Sequence, residues 1–315
     1  VFEGEEESSS ASLPGWLEAN RHRLEADAVV ISDTKFFEGN VPAITQTLRG
    51  MLYTQINVVG TPIDLHSGSY GGAVENPANA LARILAGLKD PDGRVLVPGF
   101  YDDVVELDEE ERRSFEALEF DVVRFQTDAG AVDLRGEAGY SVLERIWARP
   151  TLDVNGVWGG FQGDGAKTII PAHAHAKVSM RLVANQDPAD LFPKFEAHVR
   201  QICPPGVTVS VDQLGAGMPV RTRIDDPVTS AAALAIEATF GQAPVFIGAG
   251  GSIPVTEMFE HRLGLPVVLM GFTNADDHAH APNENMVLAN YETGIRAICL
   301  LWDLLGACGS QADDD

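Results

Sequence analysis

Residues 176–183 read AKVSMRLV, apolar at Ala176, Val178, Met180 and Leu182 and polar at Lys177, Ser179 and Arg181. That alternation has the period of two that belongs to a strand with one buried and one wetted face. Two further stretches read the same way: MLYTQINVVG at 51–60 and VTVSVDQL at 207–214. Between them NPANALARILAGL (76–88) predicts a helix, with Asn76 as N-cap, Pro77 at the first helical position, and Leu81, Ile84, Leu85 and Leu88 on one apolar face. A second helix is predicted from Asp187 to Ile202. Strands of this kind with helices on one side make an antiparallel α+β block.

Outward from that block the pattern changes. AVVIS (28–32) predicts a buried strand that delivers Asp33 at its end, preceded by a short amphipathic helix in LPGWLEANRHRLEAD (13–27). After Asp226 the chain reads helix (VTSAAALAIEATF), strand (APVFIG), helix from about Ser252, strand (LPVVLMG), and a long helix from Met286 to Leu305. Strands alternating with helices predict parallel α/β layering. Residues 90–165, rich in Gly, Pro and Asp, predict irregular surface structure with one charged helix at DEEERRSFEALE (108–119). The reading is α/β: a catalytic domain with a mostly parallel sheet flanked by helices, from 1–47 and 223–308 and incomplete at its N-terminal side. An α+β domain with an antiparallel sheet, 48–222, is inserted in it, and 309–315 form a disordered tail.

The chain has 315 residues, 45% of them hydrophobic, enough for a sizeable core in one large or two medium domains. Its 46 acidic and 22 basic residues give a net charge of −24, which argues against nucleic acid and anionic membrane surfaces as partners. Cys203, Cys299 and Cys308 lack CxxC spacing, so neither a disulfide framework nor a thiolate zinc site is expected. With no signal pattern and no run of transmembrane length, the expected compartment is cytoplasmic.

Carboxylates and histidines on loops beside strand ends are the candidates for chemistry: Glu6, Glu7, Asp33, His66, His278 and His280. A mixed carboxylate and imidazole set suits zinc or manganese better than calcium. His173 and His175 share one face of a strand, a spacing that can also bind a metal. Seven blocks occur in order: EGEEE (3–7), VISDT (30–34) with PAITQTLRG (42–50) after it, DLHSGSYGGAVENPANALARIL (64–85), DGRVLVPGFYDDV (92–104), TIIPAHAHAKVSMRLVANQDP (168–188), GGSIPV (250–255) and HAPNE (280–284). Together they resemble the dipeptidase branch of the di-metal aminopeptidase-like hydrolases, the group of cytosolic nonspecific dipeptidase and carnosinase, with acetylornithine deacylases as more distant kin.

The resemblance implies hydrolysis of dipeptides or similar short amides by a metal-bridging water, with two divalent ions, zinc or manganese. It implies Glu6 as general base, Glu7 and His280 as ligands of one ion and Asp33 as ligand of the other. His66, in the inserted domain, would reach the partner subunit's site and stabilise the oxyanion, so a homodimer is implied. Arg181 would hold the substrate's terminal carboxylate. The Gly250–Gly251–Ser252 turn opens a helix and would turn backbone N–H groups, including those of Gly251 and Ser252, to an anionic substrate end. The family has no ligands at His173 and His175, which are then surface histidines.

The sequence departs from the family in places. Family members carry a His-x-Asp segment and a bridging aspartate upstream of the paired glutamates, and neither is in this sequence, which begins at Val1. The chain is therefore expected to be an N-terminally truncated member. A non-catalytic dimerising fragment and an N-acyl-amino-acid deacylase are the alternatives. Ser8 and Ser9 stand where Ile-Gly is usual, and Gly248 and Ala249 where a basic and an acidic residue are.

Overall fold

The computed structural model describes residues 4–5, 10–251, 253–274, 276–279 and 281–312. The chain divides into two compact units: one of residues up to Leu48, Glu109–Phe120 and from Val220 onward, the other of Arg49–Asp108 and Asp121–Pro219. Among the described residues there are eleven strands: β1 (Val29–Ile31), β2 (Ala43–Leu48), β3 (Gly50–Val59), β4 (Leu65–His66), β5 (Thr151–Gly159), β6 (Ile169–Ile170), β7 (His173–Leu182), β8 (Thr208–Gly217), β9 (Val220–Arg221), β10 (Val245–Ala249) and β11 (Val267–Met270).

In the first unit the sheet runs β1-β11-β2-β10, and β9 pairs with the end of β2. Strands β1 and β11 pair in parallel, as do β10 and β2, but β11 and β9 run antiparallel to β2. The sheet is thus mixed rather than mostly parallel. For β9 the departure has a topological origin: it begins where the chain returns from the second unit, so it comes back against the strand that led out. Helices Pro227–Phe240 and Leu288–Ala312 pack on one face, where Ile44, Ala232, Ile236, Val268, Met270, Ala297 and Leu301 are buried. Helix Pro227–Phe240 ends at Gly241, whose φ of 72° is the left-handed cap that glycine adopts without cost. Helix Leu288–Ala312 runs four residues into the stretch read as a disordered tail, because no proline interrupts its backbone ladder there.

The second unit holds a four-stranded antiparallel sheet, β5-β7-β3-β8. Ten successive pairs join β3 to β7, from Gly50 with Leu182 to Val59 with His173. Ala174, Ala176, Val178, Met180 and Leu182 point into the core with Leu52, Ile56 and Val58. Helices Pro77–Ala86 and Pro188–Ile202 cover that face with Leu81, Ile84, Leu191, Phe195 and Val199, and Leu88 just past the first of them joins the same core. The Asn76 and Asp187 side chains cap these helices, accepting from Ala78 N at 2.8 Å and from Ala189 N at 2.7 Å.

Residues 90–165 are more ordered than their composition predicts. They contain helices Glu109–Glu116, Val122–Asp128 and Val142–Trp147, and the nine-residue strand β5. Helix Glu109–Glu116 belongs to the first unit, where Glu111 makes an ion pair with Arg221. In the second unit Arg149, its side chain 2% exposed, is held by Glu137 at 2.8 Å and Glu106 at 3.0 Å, and its guanidinium lies over the Tyr140 ring at 4.2 Å.

Candidate functional site

The parallel pairing of β1 with β11 sets Val29 beside Val267 and Ile31 beside Leu269, so both strands end on the same edge of the sheet. The carboxyl edge of parallel strands is where α/β folds place their ligands. Asp33 leaves that edge two residues past β1, as an exposed carboxylate. Residues 271–274 and 276–279, which precede His280 in the sequence, follow β11 from the same edge. The two segments are sewn together. Phe36 N donates to Thr273 O at 2.8 Å, Thr273 Oγ1 donates to Thr34 O at 3.2 Å, and Lys35 Nζ donates to Asp277 Oδ1 at 2.7 Å. Gly271 is required here, because a Cβ at that position would lie 1.7 Å from Thr34 O.

Asp277 organises the loop. Its carboxylate also accepts from Ala279 N at 3.1 Å, and its carbonyl accepts from Asn285 N at 2.8 Å. Burial would raise the Asp277 carboxyl, but Lys35, the Ala279 amide and the Thr273 hydroxyl outweigh it and hold the group below the usual carboxylate value. His278, next in sequence, is exposed with a φ of 57°. Sequence reasoning missed the Lys35–Asp277 clasp, whose partners are 242 residues apart.

Glu6, Glu7, His280 and Ser252 lie outside the described residues. Glu5 is described: its carboxylate accepts from Ser12 Oγ at 2.5 Å and Ser12 N at 3.1 Å, bonds that lower its pKa and tie the acidic stretch to helix Leu13–Ala19. Gly251 follows β10, which runs antiparallel to β11 across β2, so β10 ends at the other edge of the sheet from Asp33. The register therefore joins the segment of Asp33 with Thr273 and Asp277 and does not join Gly251 with them.

In the second unit His66 closes β4, paired with Ile169, and caps the turn Ser67–Tyr70. Its Nδ1 accepts from Gly68 N at 3.0 Å. An amide N–H can only donate, so in the neutral imidazole the proton sits on Nε2, and the exposed ring presents an N–H donor outward. Arg181 stands on the face of β7 turned away from the helices, opposite Met51 and Thr151. Arg49, which sequence reasoning did not single out, shares its surroundings. Burial, with the Arg181 charge beside it, pulls the Arg49 guanidinium down to about 10 against the opposing effect of Asp153. Arg49 is still a cation at neutral pH, and beside Arg181 it makes a concentration of positive charge suited to a carboxylate.

Among the described residues no three His, Cys, Asp or Glu side chains are grouped as a metal ion requires. The donor chemistry of Glu7, Asp33 and His280, two carboxylates and one imidazole, fits a borderline divalent ion.

A family model of the peptidase dimerisation domain, M20_dimer, matches residues 47–207, half of the chain. The chain belongs to the M20 peptidase family. This M20 chain is 34% identical over 303 residues to the Cys-Gly metallodipeptidase dug1 of Schizosaccharomyces pombe, a match covering 95% of the chain and 64% of that relative. It is 32% identical to the Beta-Ala-His dipeptidase of Homo sapiens, over 94% of the chain and 59% of the relative. The solved structure of the M20 family metallo-carboxypeptidase Sso-CP2 from Sulfolobus solfataricus matches with a TM-score of 0.85 at 34% identity, covering 96% of this chain and 69% of that one. The M20 chain thus spans less than two thirds of the length of these curated relatives. Among the described residues no helix is long and apolar enough to cross a membrane.

Proposed function

We propose that the protein is a metal-dependent dipeptidase that works as a homodimer. The observation that carries this reading is the common edge of β1 and β11, from which Asp33 and the loop of His280 leave together, clasped by Lys35 and Asp277. The relatives named Cys-Gly metallodipeptidase and Beta-Ala-His dipeptidase support the substrate class. Glu7 and His280 would hold one divalent ion, zinc or manganese, and Asp33 a second. When bound, such ions acidify a water molecule and polarise the scissile carbonyl.

The chain's own residues do the rest. Glu6 takes the proton of the attacking water and passes it to the leaving amine, so that one carboxylate serves as base and then acid. His66 of one subunit donates its Nε2–H to the oxygen that gains charge at the partner's site, a donor fixed in advance by the Gly68 bond to Nδ1. Arg181, with Arg49 beside it, receives the substrate's terminal carboxylate.

The test is turnover of a set of dipeptides, beside the matching N-acyl amino acids, by protein supplied with Zn²⁺ or Mn²⁺. Dipeptide hydrolysis that a chelator abolishes and Glu6→Gln lowers about 10²-fold or more is the expected result. Preference for the acyl substrates would make the protein a deacylase, and metal-independent turnover would refute the mechanism.

A further inference from the structure

On the face of the antiparallel sheet turned away from its helices, four side chains from three strands form a continuous polar chain. Asn57 Nδ2 donates to Asp212 Oδ2 at 2.7 Å, Gln55 Nε2 donates to Asn57 Oδ1 at 2.8 Å, and His175 Nδ1 lies 2.7 Å from the same Oδ1. A carboxylate only accepts, so Asp212 sets the orientation of the Asn57 amide and turns its carbonyl oxygen toward His175. His175 Nδ1 must then carry the proton, and Nε2 is left with its lone pair. This is how metal-binding histidines are prepared: the distal ring N–H donates to an oxygen, which fixes the tautomer and raises the basicity of the free nitrogen.

His173 stands two residues earlier on the same face of β7, exposed, with its ring centroid 5.0 Å from that of His175 and the planes at 56°. Two imidazoles bound to one ion at about 2.05 Å would have centroids about 5.2 Å apart at a tetrahedral angle and about 4.5 Å apart at a right angle. The observed spacing falls between these. Trp158 stacks on His175 at 5.1 Å and 19°, restricting the ring. Burial, followed by the His173 charge, lowers the His175 pKa, which favours the neutral, ligating form. Lys177, next on this face, opposes a cation, whereas Asp212 and the net charge of −24 favour one.

We infer that His173 and His175 form a two-imidazole chelate for a borderline divalent transition ion such as Zn²⁺, Ni²⁺ or Cu²⁺, completed by water. It uses none of Glu7, Asp33 and His280 and does not depend on the proposed hydrolysis.

The experiment is calorimetric titration of the untagged protein with Ni²⁺, together with quenching of tryptophan fluorescence by Cu²⁺. His173→Asn and His175→Asn should each weaken one class of Ni²⁺ site about tenfold or more, and the double variant should bind one equivalent fewer. Asn57→Ala should weaken the same class by about 10- to 100-fold through loss of the orienting bond. Trp158→Phe should keep the Ni²⁺ stoichiometry and lose the Cu²⁺ quenching. His173 is exposed, so His173→Asn should keep the urea midpoint of the unsubstituted protein; if His175→Asn alters the midpoint, the His173 arm decides. Unchanged affinity and stoichiometry in His173→Asn would overturn the chelate, whatever the outcome of the dipeptide assays.

Discussion

Asp277 shows how much one carboxylate can carry at the edge of the first sheet. It binds Lys35 on the segment of Asp33 and the Ala279 amide on the segment of His280, so both candidate ligand segments depend on its charge. Its pKa is depressed in the folded protein, so its stabilisation is present above the unfolded carboxylate value of about 4 and is lost as the pH falls through the folded value. Asp277→Asn should therefore cost on the order of 1 kcal/mol at neutral pH, a modest figure because Lys35 is half exposed and screened. Urea unfolding of both proteins at pH 7, 5 and 3 checks this. The gap should hold from pH 7 to 5 and shrink below pH 4, and a gap that persists at pH 3 would assign it to shape rather than charge.

The elements divide by how locally they are encoded. Strands β3, β7 and β8 were legible because each carries an alternating period of its own, and helices Pro77–Ala86 and Pro188–Ile202 because each carries its own apolar face and its own N-cap. Strand β5 was not. It lies at the sheet's edge, Leu152 alone among its residues is buried, and the register shift between Val154 and Gly156 breaks the alternation. The site was legible in the same uneven way: Asp33 could be placed from the strand before it, whereas nothing local in SDTK or DDH announces that Lys35 and Asp277 meet. Arg49 was likewise unreadable, since only its burial beside Arg181 marks it out. The caps allow a direct test of local encoding. Asn76→Ala should lower stability by about 1 kcal/mol and Asn76→Gly by only a few tenths, as read from urea midpoints. Equal losses would mean that the Asn76 side chain does something other than cap.

At the scale of the whole molecule the consequence of the proposed function is that no single subunit would hold a complete site, because His66 belongs to the dimerisation unit and would act on the partner. A two-fold dimer makes this countable. A Glu6→Gln chain keeps His66, and a His66→Ala chain keeps Glu6; each homodimer has both sites broken. In a mixed dimer one site has Glu6 from one chain and His66 from the other, and the second site has neither. Random exchange at equal concentrations makes half of the dimers mixed, so the mixture should recover about a quarter of the unsubstituted activity per chain. Recovery should also require exchange, appearing only after the two proteins are incubated together long enough for subunits to trade. A mixture no more active than the average of its parts, with exchange verified by a mass-labelled subunit, would confine His66 to its own chain and remove dimerisation from the mechanism.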